Sequence, residues 1–262
     1  MTALVGNNNS IKEELIDIRK NKILSEYFHS MIFSKEAEYA LEYIRDRGIS
    51  DNTIKDFQIG WCPPEWNGSM KWKWPRRLMF PLINAHSDYV SFHTRIITKN
   101  ISDSIGNKYV LEQETNRIIR EYHGDGKKTE NDIVWHHGSF DKSLFLYGLN
   151  KTKDFIVEKN YVVLVEGIFD ALILYENGIK NVVATLGTAF TDHQICSLLR
   201  YCDLVIFMWD SDDGGKKALK KSMERSFLKY ESLSLPEGFD PHEFVINYGI
   251  QPIFEGINKI MS

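Results

Sequence analysis

Glu166, Asp170, Asp210 and Asp212 have the residue types and the spacing to form a carboxylate cluster. Glu166-Gly167 follows the apolar run Tyr161–Val165, and Asp210-Ser211-Asp212 follows the run Leu204–Trp209. A further run, Val182–Leu186, ends at Gly187-Thr188. Short β-branched runs bounded by Gly or Asp and separated by helix-like segments predict βαβ units and a parallel sheet. In such a sheet every strand delivers its last residue to the same edge, where ligands bind. Glu166, Asp210 and Asp212 therefore converge. Asp170, one helical turn beyond Glu166, can join them. Converging carboxylates are costly to ionise together unless a cation offsets them. An oxygen-only set without His or Cys points to magnesium or manganese. The competing reading is that Asp210 and Asp212 only cap a helix over residues 215–228. An acidic pair after one buried strand, with Glu-Gly after its neighbour, favours the metal site.

The elements that must carry these acids fit within a chain of 262 residues, enough for one large or two small domains with a proper core. At 43% hydrophobic and 26% charged residues, the composition is that of a soluble globular protein. No apolar run approaches the roughly 18 residues of a membrane span, and no secretory signal opens the sequence. Cys62, Cys196 and Cys202 include no CxxC pair, which argues against a zinc ribbon or disulfide framework and for a reducing, cytoplasmic setting.

A net charge of −4 does not mark a nucleic-acid binder, but its distribution is uneven. Lys71, Lys73, Arg76, Arg77, Arg95 and Lys99 face only Asp88 within residues 66–99. Lys216, Lys217, Lys220, Lys221, Arg225 and Lys229 face only Glu224. Basic strips beside an acidic metal site suit a polyanion that reaches the metal. A solvated helix face accounts for the second strip as well.

The glutamate after the first run, the LGT after the second and the DSDDGGKKA after the third resemble a Toprim domain. That domain occurs in bacterial-type primases, topoisomerases, OLD-family nucleases and RecR-like repair proteins, so it leaves the reaction open. The preceding half narrows it. AEYALEYIRDRGISDNTIKDFQIGWCPPEW resembles the opening of the catalytic core of bacterial-type replicative primases. RRLMFPLINAHSDYVSFHTRII, two apolar strands around a polar turn, predicts a hairpin and resembles the primase R-x-x-FPI…F-x-x-R pattern, with Tyr89 near the usual turn glycine. FDKSLFLYGL resembles the family's F-x-K-G-x-x-LYGL, with Ser143 in place of glycine. LPEGFDPHEF resembles LP-x-G-x-DPDE: Asp240 and Glu243 match its outer acids, and His242 replaces the middle one. The resemblance spans roughly residues 37–248.

The resemblance implies a DNA-dependent RNA primase that makes short primers on single-stranded DNA from NTPs. It implies Glu166, Asp210 and Asp212 as catalytic acids. Glu166, Asp170, Asp210, Asp212 and Asp240 become the magnesium or manganese ligands, and no zinc is expected. Arg77, Arg95, Lys108 and Lys142 fall where basic residues hold template or nucleotide. The fold expected is α/β, a Toprim Rossmann-like parallel sheet with an N-terminal α+β primase subdomain. Residues 1–36 are read as a helical extension, 37–150 as the template- and nucleotide-binding subdomain, 151–248 as Toprim and 249–262 as a tail.

Trp66, Trp72 and Trp74 lie among lysines and suit either base stacking or a core. His123, His136 and His137 lie in a polar insertion over residues 112–138, without the Cys or spaced acid that would complete a zinc site. No P-loop is present. The layout resembles a compact, phage-like primase lacking zinc and helicase domains, with a replicative helicase or an accessory zinc-bearing initiation protein as the expected partner. Two other classes use the same acids: a Toprim metal nuclease and a non-catalytic recombination mediator. The FPL hairpin and the YGL segment argue against the nuclease, and the presence of five of the six acids against the mediator. Topoisomerase is disfavoured by length.

Overall fold

A computed structural model describes residues 8–64, 66, 76–97, 135–137, 141–187, 190–208 and 228–262. Asp210, Asp212, Lys108, Trp72, Trp74, His123 and the 215–228 helix expected from sequence lie outside the described residues, apart from Leu228. The chain divides into two compact units that alternate along the sequence. One comprises Met1–Arg45, Gln58–Leu82 and Tyr89–Phe140; the other comprises Asp46–Phe57, Ile83–Asp88 and Asp141–Ser262.

The first unit is a sheet backed by helices. Its strands β1 (Gly60–Trp61), β2 (Arg77–Ile83), β3 (Tyr89–Ile96) and β4 (Trp135–His137) lie in that order. β1 pairs antiparallel with β2, and β4 antiparallel with β3. Helix α1 (Asn8–Ile32) buries Leu24, Phe28 and Ile32, spaced four apart on one face, and packs on β1 and β3. Asn21 fixes that docking: its Nδ2 donates to the carbonyls of Tyr89 and Val90 at 3.0 and 3.1 Å. The described part of α1 is thus docked on this sheet. Helix α2 (Glu38–Asp46) follows and buries Ala40 and Ile44. Every residue of β2 is buried, Pro81 included. The two residues of β1 reach only Leu78 and Met79, so Pro81 lies beyond that pairing.

The expected hairpin forms at β2 and β3. Asn84 Oδ1 accepts the N–H groups of His86 and Asp88 at 2.9 and 3.0 Å, folding the connection. Ser87, with φ of 71°, takes the left-handed position that a turn glycine would otherwise fill.

The second unit holds a four-stranded, fully parallel sheet of β5 (Tyr161–Val165), β6 (Val182–Ala184), β7 (Leu204–Phe207) and β8 (Lys229–Ser232). Its order is β6-β5-β7-β8. The first three are the predicted runs, each shorter than its apolar stretch where that stretch ran past the ladder: residues 185–186 and Met208 belong to loops. The edge strand β8, with the sequence KYES and exposed throughout, was not read from the sequence. Helices α4 (Leu149–Lys159), α5 (Ile168–Glu176) and α6 (Asp192–Leu198) connect and cover the strands. Val162, Leu164, Val183, Val205 and Phe207 share one core cluster with Ile156, Phe190, Ile195 and Leu198.

Helix α3 (Asp51–Asp56) belongs to this unit and packs on α5. Gly48, the expected stop after the α2 segment, has φ of 74°. Residues 249–262, expected to be a tail, include the amphipathic helix α8 (Gln251–Met261), which buries Ile253 and Ile257. Before it, α7 (Pro241–Tyr248) packs against α5.

Candidate active site at the carboxyl edge of the parallel sheet

Strand β5 is buried from Val162 to Val165, and the next residue, Glu166, emerges exposed at its carboxyl end. The loop after the neighbouring parallel strand β6 comes to the same place. Gly187 N–H donates to Glu166 O at 3.3 Å, and a Cβ on Gly187 would lie 3.7 Å from Glu166 Oε1. Leu186 and Gly187 both hold left-handed backbone, φ 64° and 72°, which turns the chain sharply at the sheet edge. A leucine in that region is strained, and such strain collects at functional sites.

Lys142 adds a positive charge at this edge. It stands half-buried on a 3₁₀ turn, Lys142–Leu144, and its Nζ lies 3.5 Å from Leu186 O. The structure therefore brings Glu166 and Lys142 to one loop, although 24 residues of sequence separate them.

Asp170 is buried at 9% exposure, unlike Glu166. Its Oδ2 accepts from Gly167 N at 3.0 Å and its Oδ1 from His242 N at 3.1 Å. The first bond caps α5 beside Glu166; the second ties in the start of α7. Gly167 leaves room for this: a Cβ there would lie 2.6 Å from Asp170 Oδ2.

Asp240 is the N-cap of α7, accepting from Glu243 N at 2.6 Å. The first N–H groups of α7 are then accounted for in turn. Pro241 has none, His242 donates to Asp170 and Glu243 donates to Asp240. Asp170 and Asp240 thus hold consecutive amides of one helix start.

His242 does not present its ring where an acid was expected. Its Nε2 lies 3.0 Å from Arg47 O, and because a carbonyl only accepts, that nitrogen carries the proton. The ring meets Phe169 edge-on at 6.2 Å, and the Arg47 guanidinium lies over the same Phe169 at 4.4 Å. Burial pushes the imidazole below its ordinary value, so it is neutral at pH 7.

The basic residues of the first unit stand differently. Arg77 is only 4% exposed in β2. Arg95 is half-buried in β3, its guanidinium 6.0 Å from the Tyr43 ring centroid. Trp66 belongs to the core: its ring packs 5.2 Å from both Tyr27 and Phe28, against a cluster with Cys62, Met79 and Phe92. No group of metal-ligating side chains is assembled among the described residues, which exclude Asp210 and Asp212. Glu166 and the half-buried Asp240 are oxygen donors, the kind of donor that suits a hard divalent cation.

Two family models match separate stretches of the chain. Residues 163–245 match the Toprim-like family model, and residues 27–73 match the DNA primase catalytic core, N-terminal domain. The DnaG primase catalytic domain bound to single-stranded DNA superposes with a TM-score of 0.73 at 22% identity, over 96% of this chain and 83% of that one. This chain has the fold of a primase catalytic core.

The primase fold also extends to the crystal structure of the zinc-binding and RNA polymerase domains of Aquifex aeolicus primase. The TM-score there is 0.71 at 23% identity, over 98% of this chain and 63% of that one. Among curated proteins, the DNA primase of Aquifex aeolicus is 27% identical over 95% of this chain and 50% of its own length. The DNA primase of Lactococcus lactis is 30% identical over 92% of this chain and 38% of its own. The chain thus spans half or less of these two relatives. Glu166 and Lys142 reach the same loop at residues 186–187, while Asp170, from α5, and Asp240 hold the first amides of α7. Thr191 and Gln194, at the start of α6, were not singled out from the sequence; their side chains donate to the carbonyls of Lys142, Ser143 and Phe145. No helix among the described residues is long and apolar enough to cross a membrane.

Proposed function

We propose that this chain synthesises short RNA primers on single-stranded DNA by divalent-metal-dependent nucleotidyl transfer. The observation that carries the reading is the pairing of a primase-specific N-terminal domain with a Toprim-like domain in one chain. A Toprim nuclease or mediator has no need of the first.

In this reading Glu166, Asp210 and Asp212 hold magnesium or manganese, with Asp170 and Asp240 in support. Bound there, a divalent cation lowers the pKa of the attacking 3′-hydroxyl and offsets the charge of the triphosphate and leaving pyrophosphate. Glu166, exposed at the strand end, is a ligand or the base that takes the hydroxyl proton. Asp170 keeps α5 and α7 in register through Gly167 and His242. Lys142 holds a phosphate of the incoming nucleotide. Arg95, Lys108 and, through the hairpin it anchors, Arg77 hold the template backbone. His242 leaves the acidic set one charge smaller than a third acid would. A replicative helicase or a zinc-bearing initiation polypeptide completes the system.

The test is one reaction containing single-stranded DNA, labelled NTPs and magnesium, resolved on a gel. Short de novo oligomers are expected. Shortened template with no oligomers would replace this reading with a nuclease, and neither product would leave a binding module.

A further inference from the structure

The turn that carries Lys142 is hydrogen-bonded to the side chains of Thr191, the N-cap of α6, and Gln194, in its first turn. Gln194 has no exposed surface. Its Nε2 donates to Phe145 O at 2.8 Å and to Lys142 O at 3.3 Å, and its Oε1 accepts from Thr191 N at 3.0 Å. Thr191 Oγ1 accepts from Gln194 N at 3.3 Å and donates to Ser143 O at 2.5 Å. Two of these five bonds are the reciprocal pair of a capping box and would suffice to start the helix. The other three use the remaining donors of the same two side chains to hold three carbonyls of the turn that carries Lys142.

The geometry closes on itself. The Lys142 backbone is held by α6, and its ammonium reaches Leu186 O, at the near end of the loop that leads into α6. Gly187, next in that loop, donates to Glu166 O. A lysine is a point charge on a flexible four-carbon stem, so where its Cα is fixed decides what its ammonium can reach. A displacement of about 1 Å at a group that positions substrate lowers rate or affinity steeply.

We propose that Thr191 and Gln194 are positioning residues for Lys142. They set the ammonium against the incoming nucleotide's phosphates by holding the carbonyls of residues 142, 143 and 145. This rests on the reading of Lys142 as a nucleotide-holding cation.

A double-mutant cycle on the full chain tests it, using Thr191→Val, Lys142→Ala and the two combined. Each protein is read by the KM for NTP in primer synthesis, by the Kd for a fluorescent Mg·ATP analogue, which requires no synthesis, and by Tm. Thr191→Val removes both bonds of Oγ1, to Ser143 O and from Gln194 N, and should raise KM and Kd by at least about fivefold, the effect of one such bond, with kcat within about twofold. Thr191→Ser, which keeps Oγ, should restore both. In the Lys142→Ala background, Thr191→Val should still lower Tm but leave KM and Kd unchanged. Gln194→Met should behave like Thr191→Val if it folds, and the cycle does not depend on it. If Lys142→Ala weakens nucleotide binding yet Thr191→Val has its full effect in both backgrounds, the clamp is structural and the proposal fails. If Lys142→Ala changes neither KM nor Kd, the reading of Lys142 itself falls, and the positioning role with it.

Discussion

At the carboxyl edge of β5, Glu166 stands exposed at the end of a strand whose last four residues are buried. In the hairpin, Arg77 opens a strand that is buried along its whole length and is itself only 4% exposed. Both are charged residues next to apolar strands, yet their circumstances are opposed. A parallel strand releases its final residue at the sheet edge, where an acid stays open to solvent and to a ligand. A basic residue within the body of a sheet loses solvent and must be held by neighbours. The exposed charge is open to a ligand, whereas the buried one serves first to hold the sheet.

The sharpest way to break that contrast is to remove charge at each place. Glu166→Gln should lower primer synthesis by about 10³-fold, with Tm essentially unchanged, because the side chain is exposed. Arg77→Ala should do the reverse in order of cause. It should cost roughly 3 kcal/mol in urea unfolding, and any drop in template binding should follow the loss of fold. An Arg77→Ala protein of full stability with weakened template binding would place this arginine among the direct contacts instead.

The buried acid beside Glu166 is a finer probe of the same contrast. Asp170→Asn keeps the size but sets an amide N–H against one of the two backbone N–H groups now accepted. A loss of about 2 kcal/mol in stability is expected, together with reduced synthesis. Unchanged stability with lost metal dependence would make Asp170 a ligand first and a brace second.

Arg95, half-buried, lies between the extremes. Arg95→Ala should weaken single-strand binding, and the slope of log affinity against log salt should become shallower by less than about one unit, read by fluorescence anisotropy. An untouched slope would make the hairpin scaffold throughout.

The smallest effect concerns Glu176, where α5 meets α3. Burial raises its pKa, but hydrogen bonds from Thr53 and Ser50 outweigh this and bring it below the ordinary 4.5. Ser50 N and Oγ donate to its Oε2 at 3.1 and 2.9 Å. A carboxyl lowered on folding contributes stability above its unfolded pKa and loses it as pH falls through the folded value. The stability gap between wild type and Glu176→Gln should be present at pH 7 and shrink progressively below pH 4.5. A gap independent of pH would mean the charge contributes nothing.

Much of the second unit was legible because parallel strands buried on both faces read as unbroken apolar runs, as Tyr161–Val165 and Val182–Ala184 do. β8 left no such trace. As an exposed edge strand, KYES needs only backbone pairing with β7, and backbone pairing has no side-chain signature. Glu166 at a strand end followed from the same periodicity, whereas the orientation of Asp170 did not. Helical spacing puts it one turn from Glu166, but only the docking of α7 decides that its carboxylate takes the amide of His242. His242 was identified as the odd residue in its motif. Its contact with Arg47 O joins residues 195 positions apart, which local spacing cannot reveal. The Thr191 and Gln194 clamp was hidden for the same reason, although T-x-x-Q is a visible helix start.

The central claim is that the acids at this sheet edge form a divalent-cation site, and the most direct measurement is the magnesium dependence of Tm. Ligand bound only by the folded state stabilises it by mass action, about 2.7 kcal/mol at a hundredfold excess over Kd. Millimolar magnesium or manganese should raise the Tm of the wild-type chain, and the rise should vanish in Glu166→Gln and in Asp210→Asn. An equal rise in wild type and both variants would contradict the account and put the metal elsewhere.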